Sequence, residues 1–401
     1  MKRIFVIGIF LAAGLLWGGN SIFSYDGFPI QYYGVDIYSM GMGDAGSSDV
    51  YRNNTGYANP AQTNRSNKTL FGTGIILGYT GYQSDYQGQS RKFRDNSLDF
   101  PYFSVSVPVK QHRLGFQFNS SATGLVKNQI ILADSTLERH EVDRYLYRAD
   151  LIYSYTHRDL SLGISGNYYF GHDNRNFEQF APDTTVPTTE KLNRNFKNPT
   201  VTLGAIQSLG NHAFGVHSTL PVTLEGESKR TSFHSSEDAI DYEYELPLML
   251  TLSYTGKINE QVKVATDISM QQYSEVSSDY RDSRKLAIGI AYEPEDERQK
   301  YWWAKIPVRA GVSYRELPFK SGGEYVDEST LSAGITLPLK SEINRLDLAV
   351  QYQSRGSLSS NGLQDRAFMM MIGFTGFDII SKAIDRTAPR EIPKAEELRP
   401  W

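Results

Sequence analysis

The chain has 401 residues, enough for two ordinary domains or one large barrel. It contains no cysteine, which excludes disulfides, thiolate chemistry and a lipid anchor on a cysteine. Its formal charge of -4 falls to -6 when the two cations Lys2 and Arg3 are set aside, which argues against a nucleic-acid surface.

Lys2 and Arg3 are followed by an apolar run from Ile4 to Trp17 and then by Gly18, Gly19, Asn20 and Ser21. A basic start, a short apolar core and small residues behind it predict a secretory signal over 1–24, too short to span a membrane. Gly19, Ser21 and Ser24 each offer a cleavage position, and the sequence does not choose among them.

Residues 25–68 carry no helical or alternating apolar period. They contain Gly41, Gly43 and Gly46 in G-x-G-x-x-G spacing, and Asn59-Pro60-Ala61 further on. A dinucleotide fingerprint needs a strand before it and a helix after it, and the turn formers at 47–54 provide neither. The glycines are expected instead to let the chain fold tightly at positive φ.

Past Lys68 the sequence reads as strands at 69–80, 99–108, 113–123, 144–156, 160–170, 198–208, 211–222, 242–256, 260–274, 284–293, 303–316, 328–339, 343–355 and 364–377. Membrane strands need ~9–11 residues, whereas soluble strands cluster near 5–6. The alternation suits a barrel in lipid: Leu346, Leu348, Val350 and Tyr352 share one face, and Arg345, Asp347, Gln351 and Gln353 the other. Val262, Val264, Ile268 and Met270 likewise oppose Lys263, Asp267 and Gln271, and Leu246, Leu248, Leu250 and Leu252 oppose Pro247, Met249 and Thr251. The 26 Tyr and 20 Phe are a heavy aromatic load for a mean hydropathy of -0.42, as interfacial girdles around a polar lumen would produce.

The connections separate a barrel from a soluble sandwich. They run 18, 4, 20, 3, 27, 2, 19, 3, 9, 9, 11, 3 and 8 residues, long and short in alternation with one exception at 294–302. Short periplasmic turns and long outer loops on an even strand count are the barrel pattern. The fold class expected is therefore all-β, a 14-stranded antiparallel transmembrane β-barrel over 69–377 in the outer membrane. Residues 25–68 would precede the barrel, and a periplasmic tail would span 378–401. Met249, Met369, Met371, Arg309 and Arg345 fall on lumen-facing positions and are the candidate ligand-binding residues, the soft methionines for an apolar solute and the cations for a carboxylate or a plug. No cofactor, metal site or enzyme is expected: the histidines lack metal-ligand spacing, and Gly163-Ile164-Ser165-Gly166 lies within a strand, not at a nucleophile elbow.

Ser39-Met-Gly-Met-Gly-Asp-Ala45 with Asn59-Pro60-Ala61, Gly215-Val-His-Ser-Thr-Leu-Pro221 before Leu224-Glu-Gly226, Glu245-Leu-Pro-Leu248, and Ile306-Pro-Val-Arg-Ala-Gly-Val-Ser-Tyr314 together resemble the FadL/TodX family of outer-membrane transporters. The resemblance implies passive uptake of hydrophobic compounds such as long-chain fatty acids or aromatic hydrocarbons. Capture would fall to outer loops 171–197 and 223–241, followed by an apolar lumen site and lateral exit controlled by a hatch over 25–68 that plugs the barrel from the periplasmic side and carries Gly41, Gly43, Gly46, Asn59, Pro60 and Ala61. Outer-membrane lipid and lipopolysaccharide would surround it. Weak ladder points for the exit are Pro101, Gly115, Gly163 and Gly204. The tail departs from the fatty-acid members, and the alternative is a plugged barrel that serves as partner or shuttle in protein secretion or assembly, with the tail contacting a periplasmic or secreted protein.

Overall fold

A computed structural model describes residues 21–25, 30–32, 36–53, 58–62, 68–86, 89–132, 134–182, 186–295, 301–339 and 344–376. Most of the expected leader and the whole expected tail lie outside these residues.

The strands are β1 (Ile30–Gln31), β2 (Leu70–Tyr86), β3 (Gln89–Asp99), β4 (Tyr102–Val109), β5 (His112–Ile131), β6 (Leu137–His157), β7 (Leu160–Phe180), β8 (Thr188–Leu209) and β9 (His212–Thr219). They continue with β10 (Val222–Ser232), β11 (Ile240–Leu246), β12 (Met249–Lys257), β13 (Val262–Gln271), β14 (Ser283–Tyr292), β15 (Val308–Ser321), β16 (Glu324–Pro338), β17 (Arg345–Ser357) and β18 (Leu363–Gly376). Every pairing is antiparallel, and β18 pairs with β2 from Leu363↔Ser84 to Gly376↔Phe71, which closes the sheet. Three wall strands are each broken in two, at Phe100-Pro101 (β3/β4), Leu220-Pro221 (β9/β10) and Pro247-Leu248 (β11/β12), so the wall has fourteen strands.

Which side chains face out follows the alternation. Leu151, Leu331 and Met370 are 70%, 59% and 54% exposed on the outer surface, while Asp347, Arg315 and Lys263 are 2–3% exposed on the inner one. The proline breaks reset this parity. Leu246 and Met249 both line the interior although they stand three positions apart, so Leu246 does not share the outward face of Leu250 and Leu252 as the uninterrupted alternation predicted. A proline cannot donate to the ladder, and the bulge it forces turns the strand.

The loops at 171–197 and 223–241 are not loops. β7 runs to Phe180, β8 begins at Thr188, and β10 and β11 extend the same ribbon to Ser232 and back from Ile240. Beyond the membrane the alternation inverts: Tyr242, Tyr244 and Leu246 pack inward while Glu243 and Glu245 are exposed, so the strands rise past the lipid as a walled cup.

Residues 36–53 and 58–62 lie inside the barrel and touch most of its circumference. Ser48 Oγ meets Thr255 Oγ1 at 3.0 Å on β12, Asp49 pairs with Lys263 at 2.7 Å on β13, and Asp44 with Lys285 at 2.6 Å on β14. Asn59 Nδ2 donates to Val216 O on β9. Wall glycines make room for this segment. An ideal Cβ on Gly163 would lie 2.2 Å from the Pro60 carbonyl carbon, and one on Gly204 2.1 Å from Asn59 Oδ1. Gly115, Gly163 and Gly204 sit in unbroken ladders (Ser106↔Gly115, Gly163↔Gly204), so they are not gaps in the wall; Gly163 and Gly204 are seats for Asn59-Pro60-Ala61.

Candidate functional site: a lumen cavity beside a broken wall

The inner segment is held by charge. Asp36 caps the short helix Ile37–Met40 by accepting from Ser39 N, and its carboxylate also pairs with Arg52 and, at 3.6 Å, with Arg345. Arg52 reaches Asp49 at 3.2 Å, and Lys263 bridges Asp49 and Glu293. Tyr38 sits at the centre, its ring faced by Arg309 at 4.4 Å, Arg52 at 4.5 Å, Lys263 at 5.1 Å and Arg345 at 5.6 Å, with its hydroxyl donating to Glu293. Packing four cations around one ring exploits its negative face in a place that excludes water. Burial pushes the Tyr38 hydroxyl up to about 12, so it stays a donor at any physiological pH.

The glycine motif does bind an anion, but one supplied by the wall. Gly46 N and Ser47 N donate to Asp267 Oδ1 and Oδ2 at 3.2 and 3.0 Å, and Gly43 N donates to Ser332 Oγ at 2.7 Å. Gly43 and Gly46 have φ of 72° and 116°, as a tight fold requires. Gly41, at φ -68°, is instead a close-contact residue beside Arg309.

Burial alone would raise the Asp36 carboxyl, yet Arg52 and Arg345 beside it hold it down to about 2, from an ordinary 3.8. A depressed folded value means this carboxylate adds stability above about pH 3.8 that is lost as pH falls towards 2. The segment is therefore expected to stay seated at mildly acidic pH and to loosen only as pH approaches 2. Arg52→Met would take one cation from each of two buried carboxylates, leaving Asp36 with Arg345 and Asp49 with Lys263, and cost about 1–3 kcal/mol. Urea titration in detergent, followed by chymotrypsin cleavage after Tyr38 or Tyr51, should show release at a clearly lower midpoint in the variant.

Above this seat lies a cavity lined among others by Gln31, Tyr32, Ala122, Leu146, Tyr169, Leu246 and Met249. Its apolar side is a cluster of Ala122, Leu146, Tyr169, Phe196 and Leu224, with Tyr242 and Tyr244 packed against it. Three guanidinium groups share one carboxylate near it: Arg144 Nε at 2.9 Å, Arg194 Nη1 at 3.4 Å and Arg175 Nε at 3.5 Å from Asp173. Arg194 lies over the Tyr242 ring at 4.6 Å, which joins this positive rim to the apolar cluster. Met249 also lines a second, smaller space with Asp44, His217, Asp267 and Lys285, so one flexible side chain stands between the two.

The wall is incomplete at this cavity. β4 pairs with β5 up to Tyr102↔Asn119, but beyond Pro101 the outer half, β3, pairs only with β2. The edge of β5 is taken by the inner segment instead: Ile30↔Thr123, Gln31↔Ala122, and Tyr32 N donating to Ser121 O at 2.9 Å. Two residues of β1 therefore occupy the slot that β3 leaves.

Of the residues singled out in the sequence, Met249 faces the cavity, whereas Met369 and Met371 pack with Ile37, Met40, Ile76 and Tyr102 under the inner helix. Arg309 and Arg345 stack on Tyr38 and pair with Asp347 at 3.5 and 3.0 Å. The arginine rim and the Tyr169–Leu224 cluster were not foreseen. Their signal was present in the inverted alternation of 242–246. Among the described residues no group of His, Cys, Asp and Glu could hold a metal ion.

The fold is similar to that of solved outer-membrane channels. The toluene transporter TodX of Pseudomonas putida superposes with a TM-score of 0.64 at 16% identity, covering 86% of this chain and 98% of its own. A FadL homologue of Pseudomonas aeruginosa gives 0.63 at 11%, covering 87% and 99%. The toluene transporter TbuX of Ralstonia pickettii gives 0.59 at 13%, covering 86% and 98%. No curated protein sequence matches the chain. The BamG family model matches residues 2–378, nearly the whole sequence, and the chain belongs to the BamG family.

Proposed function

We propose that this protein is an outer-membrane channel for passive uptake of hydrophobic compounds, with long-chain fatty acids as its preferred class. The observation that carries this reading is the cavity beside a wall slot that, among the described residues, two residues of the inner segment fill. The FadL-like fold and the toluene transporters among its structural neighbours support it. A fatty acid would enter the cup of extended hairpins, set its carboxylate on Arg144, Arg175 and Arg194, and lay its chain against Leu146, Tyr169 and Met249. The inner segment acts as the hatch: withdrawal of Ile30–Tyr32 from β5 opens a path sideways into the outer leaflet. Burial of an apolar solute against such walls lowers the barrier posed by the polar lipopolysaccharide layer. In this reading Arg309, Arg345, Met369 and Met371 hold the hatch, and Met249 touches the solute.

A second reading, docking of a protein partner in secretion or assembly, is favoured by Tyr301, Trp302 and Trp303. They are 73%, 74% and 60% exposed in the one long connection on the short-turn side. Uptake of a labelled long-chain fatty acid by cells with and without the protein decides between them. Removal should abolish carrier-dependent uptake. Arg175→Ala with Arg194→Ala should raise the half-saturating concentration about tenfold, as lost charge-assisted hydrogen bonds imply. Uptake unchanged by removal, with a periplasmic protein released by Trp302→Ala, would replace the channel reading with the docking one.

A further inference from the structure

Residues Ser21–Tyr25 lie within the outer end of the barrel. Phe23 packs with Leu317, Phe319 and Val326 of β15 and β16, its ring 6.0 Å from that of Phe319, and approaches Gly356. Ser24 is fully buried. The Ser21 hydroxyl donates to Asp365 on β18, and the Ile22 N–H is hydrogen-bonded to the same carboxylate.

Asp365 is underserved for a fully buried carboxylate. Its Oδ1 has no hydrogen-bond partner, and the cation facing it, Arg355 Nη1, stands 3.8 Å away. Arg355 is committed elsewhere: its Nε pairs with Glu328, which also takes Arg315 at 2.9 Å, and its Nη2 donates to Gln353 at 2.6 Å. A buried carboxylate without a close cation is costly.

The leader expected ahead of this point ends in small residues. Cleavage needs small side chains one and three positions before the cut. Gly19 and Ser21 satisfy both for a cut between Ser21 and Ile22, whereas a cut after Gly19 places Trp17 at the third position. A cut after Ser24 would remove Phe23 and strip the Leu317–Phe319–Val326 cluster of its cover.

We propose that the leader is cleaved between Ser21 and Ile22 and that the freed α-ammonium of Ile22 is buried in the barrel against Asp365. Hydrolysis of that peptide bond by a leader peptidase consumes one water. It leaves the Ser21 carboxylate on the released leader, and the new amine takes its further proton from solvent. Asp365 loses a neutral hydroxyl donor and gains a charged one at the Ile22 nitrogen already beside it. The outer end of the inner segment is thus locked only in the exported, processed chain.

The test uses full-length protein purified from outer membranes. N-terminal sequencing and intact mass should give Ile22 as the first residue. Reductive dimethylation at neutral pH should modify the Ile22 amine about tenfold or more slowly in the folded barrel than in urea, since a buried group reacts only through local opening. Asp365→Asn, with a barrel that keeps its heat-modifiable migration, should lose most of that protection. A first residue of Asn20 or Tyr25, or equal labelling of Ile22 in folded and unfolded wild type, overturns the proposal. Protection that persists undiminished in Asp365→Asn overturns the ion pair.

Discussion

Replacing Gly311 by valine will unseat the inner segment and turn a closed barrel into a conducting one. An ideal Cβ on Gly311 lies 2.0 Å from the Met42 carbonyl carbon and 2.4 Å from Gly43 N, and Gly289, its ladder partner, is as close to Met42 from the next strand. The obstruction is backbone against wall, so no rotamer change relieves it. Neither side can yield cheaply. Met42 is 1% exposed, Gly43 holds a φ of 72° and donates to Ser332, and β15 is bonded to β14 and β16 along its length. Overpacking a well-filled site typically costs about 1–3 kcal/mol, and a main-chain clash sits at the upper end or beyond. Around Gly311 the wall is a continuous ladder of β14, β15 and β16 and the segment is not, so the segment is the part that moves. Planar-bilayer conductance should rise from closed to porin-like, and cells should become sensitive to large hydrophilic antibiotics. Gly166→Val is the matched control, because a Cβ there meets nothing within 4 Å. A stable Gly311→Val barrel with wild-type conductance would mean the segment does not seal the lumen.

The sequence displayed the wall more fully than the site, for a physical reason. In lipid, one face of each strand must be apolar and the other is free to be polar, so Leu348 and Asp347 announce their directions without any structure. Above the lipid that rule inverts. Tyr242 and Tyr244 turn inward to build the cavity while Glu243 and Glu245 meet water, and a stretch read as loop is a ribbon. The lumen cations were visible as inward positions, but whether Arg309 holds a ligand or an aromatic ring depends on Tyr38, which is remote in sequence. The glycine motif behaved similarly. Its spacing does make an anion cradle, and only the fold could show that Asp267 already fills it. Proline marked the broken strands: Pro101, Pro221 and Pro247 stand at the three interruptions, although Pro108 and Pro199 lie within β4 and β8 without breaking them. Glycine did not, because a missing side chain serves a close neighbour such as Pro60 as readily as a bend.

Cross-linking β1 to β5 will stop uptake, and reduction will restore it. Gln31 and Ala122 are directly opposed across this two-residue ladder, and the hydrogen bond from Tyr32 N to Ser121 O makes Gln31 and Ala122 the pair without mutual backbone bonds. In antiparallel sheets such pairs have the closer side chains, with Cα atoms about 4.5 Å apart, at the short end of the range a disulfide spans. Both side chains face the cavity, and the native chain has no cysteine to compete. In Gln31→Cys/Ala122→Cys the bond would fasten the strand that fills the slot left by β3, while the outer cup and the arginine rim stay unchanged. A solute could still enter and bind, but could not leave through the wall. Oxidised cells should retain binding of labelled fatty acid and lose its accumulation, with full recovery in reductant. The single cysteine variants should transport normally under both conditions. If the cross-linked protein, confirmed by intact mass, transports at the wild-type rate, the slot between β3 and β5 is not the exit. The route would then have to continue past Met249 towards Asp267 and Lys285.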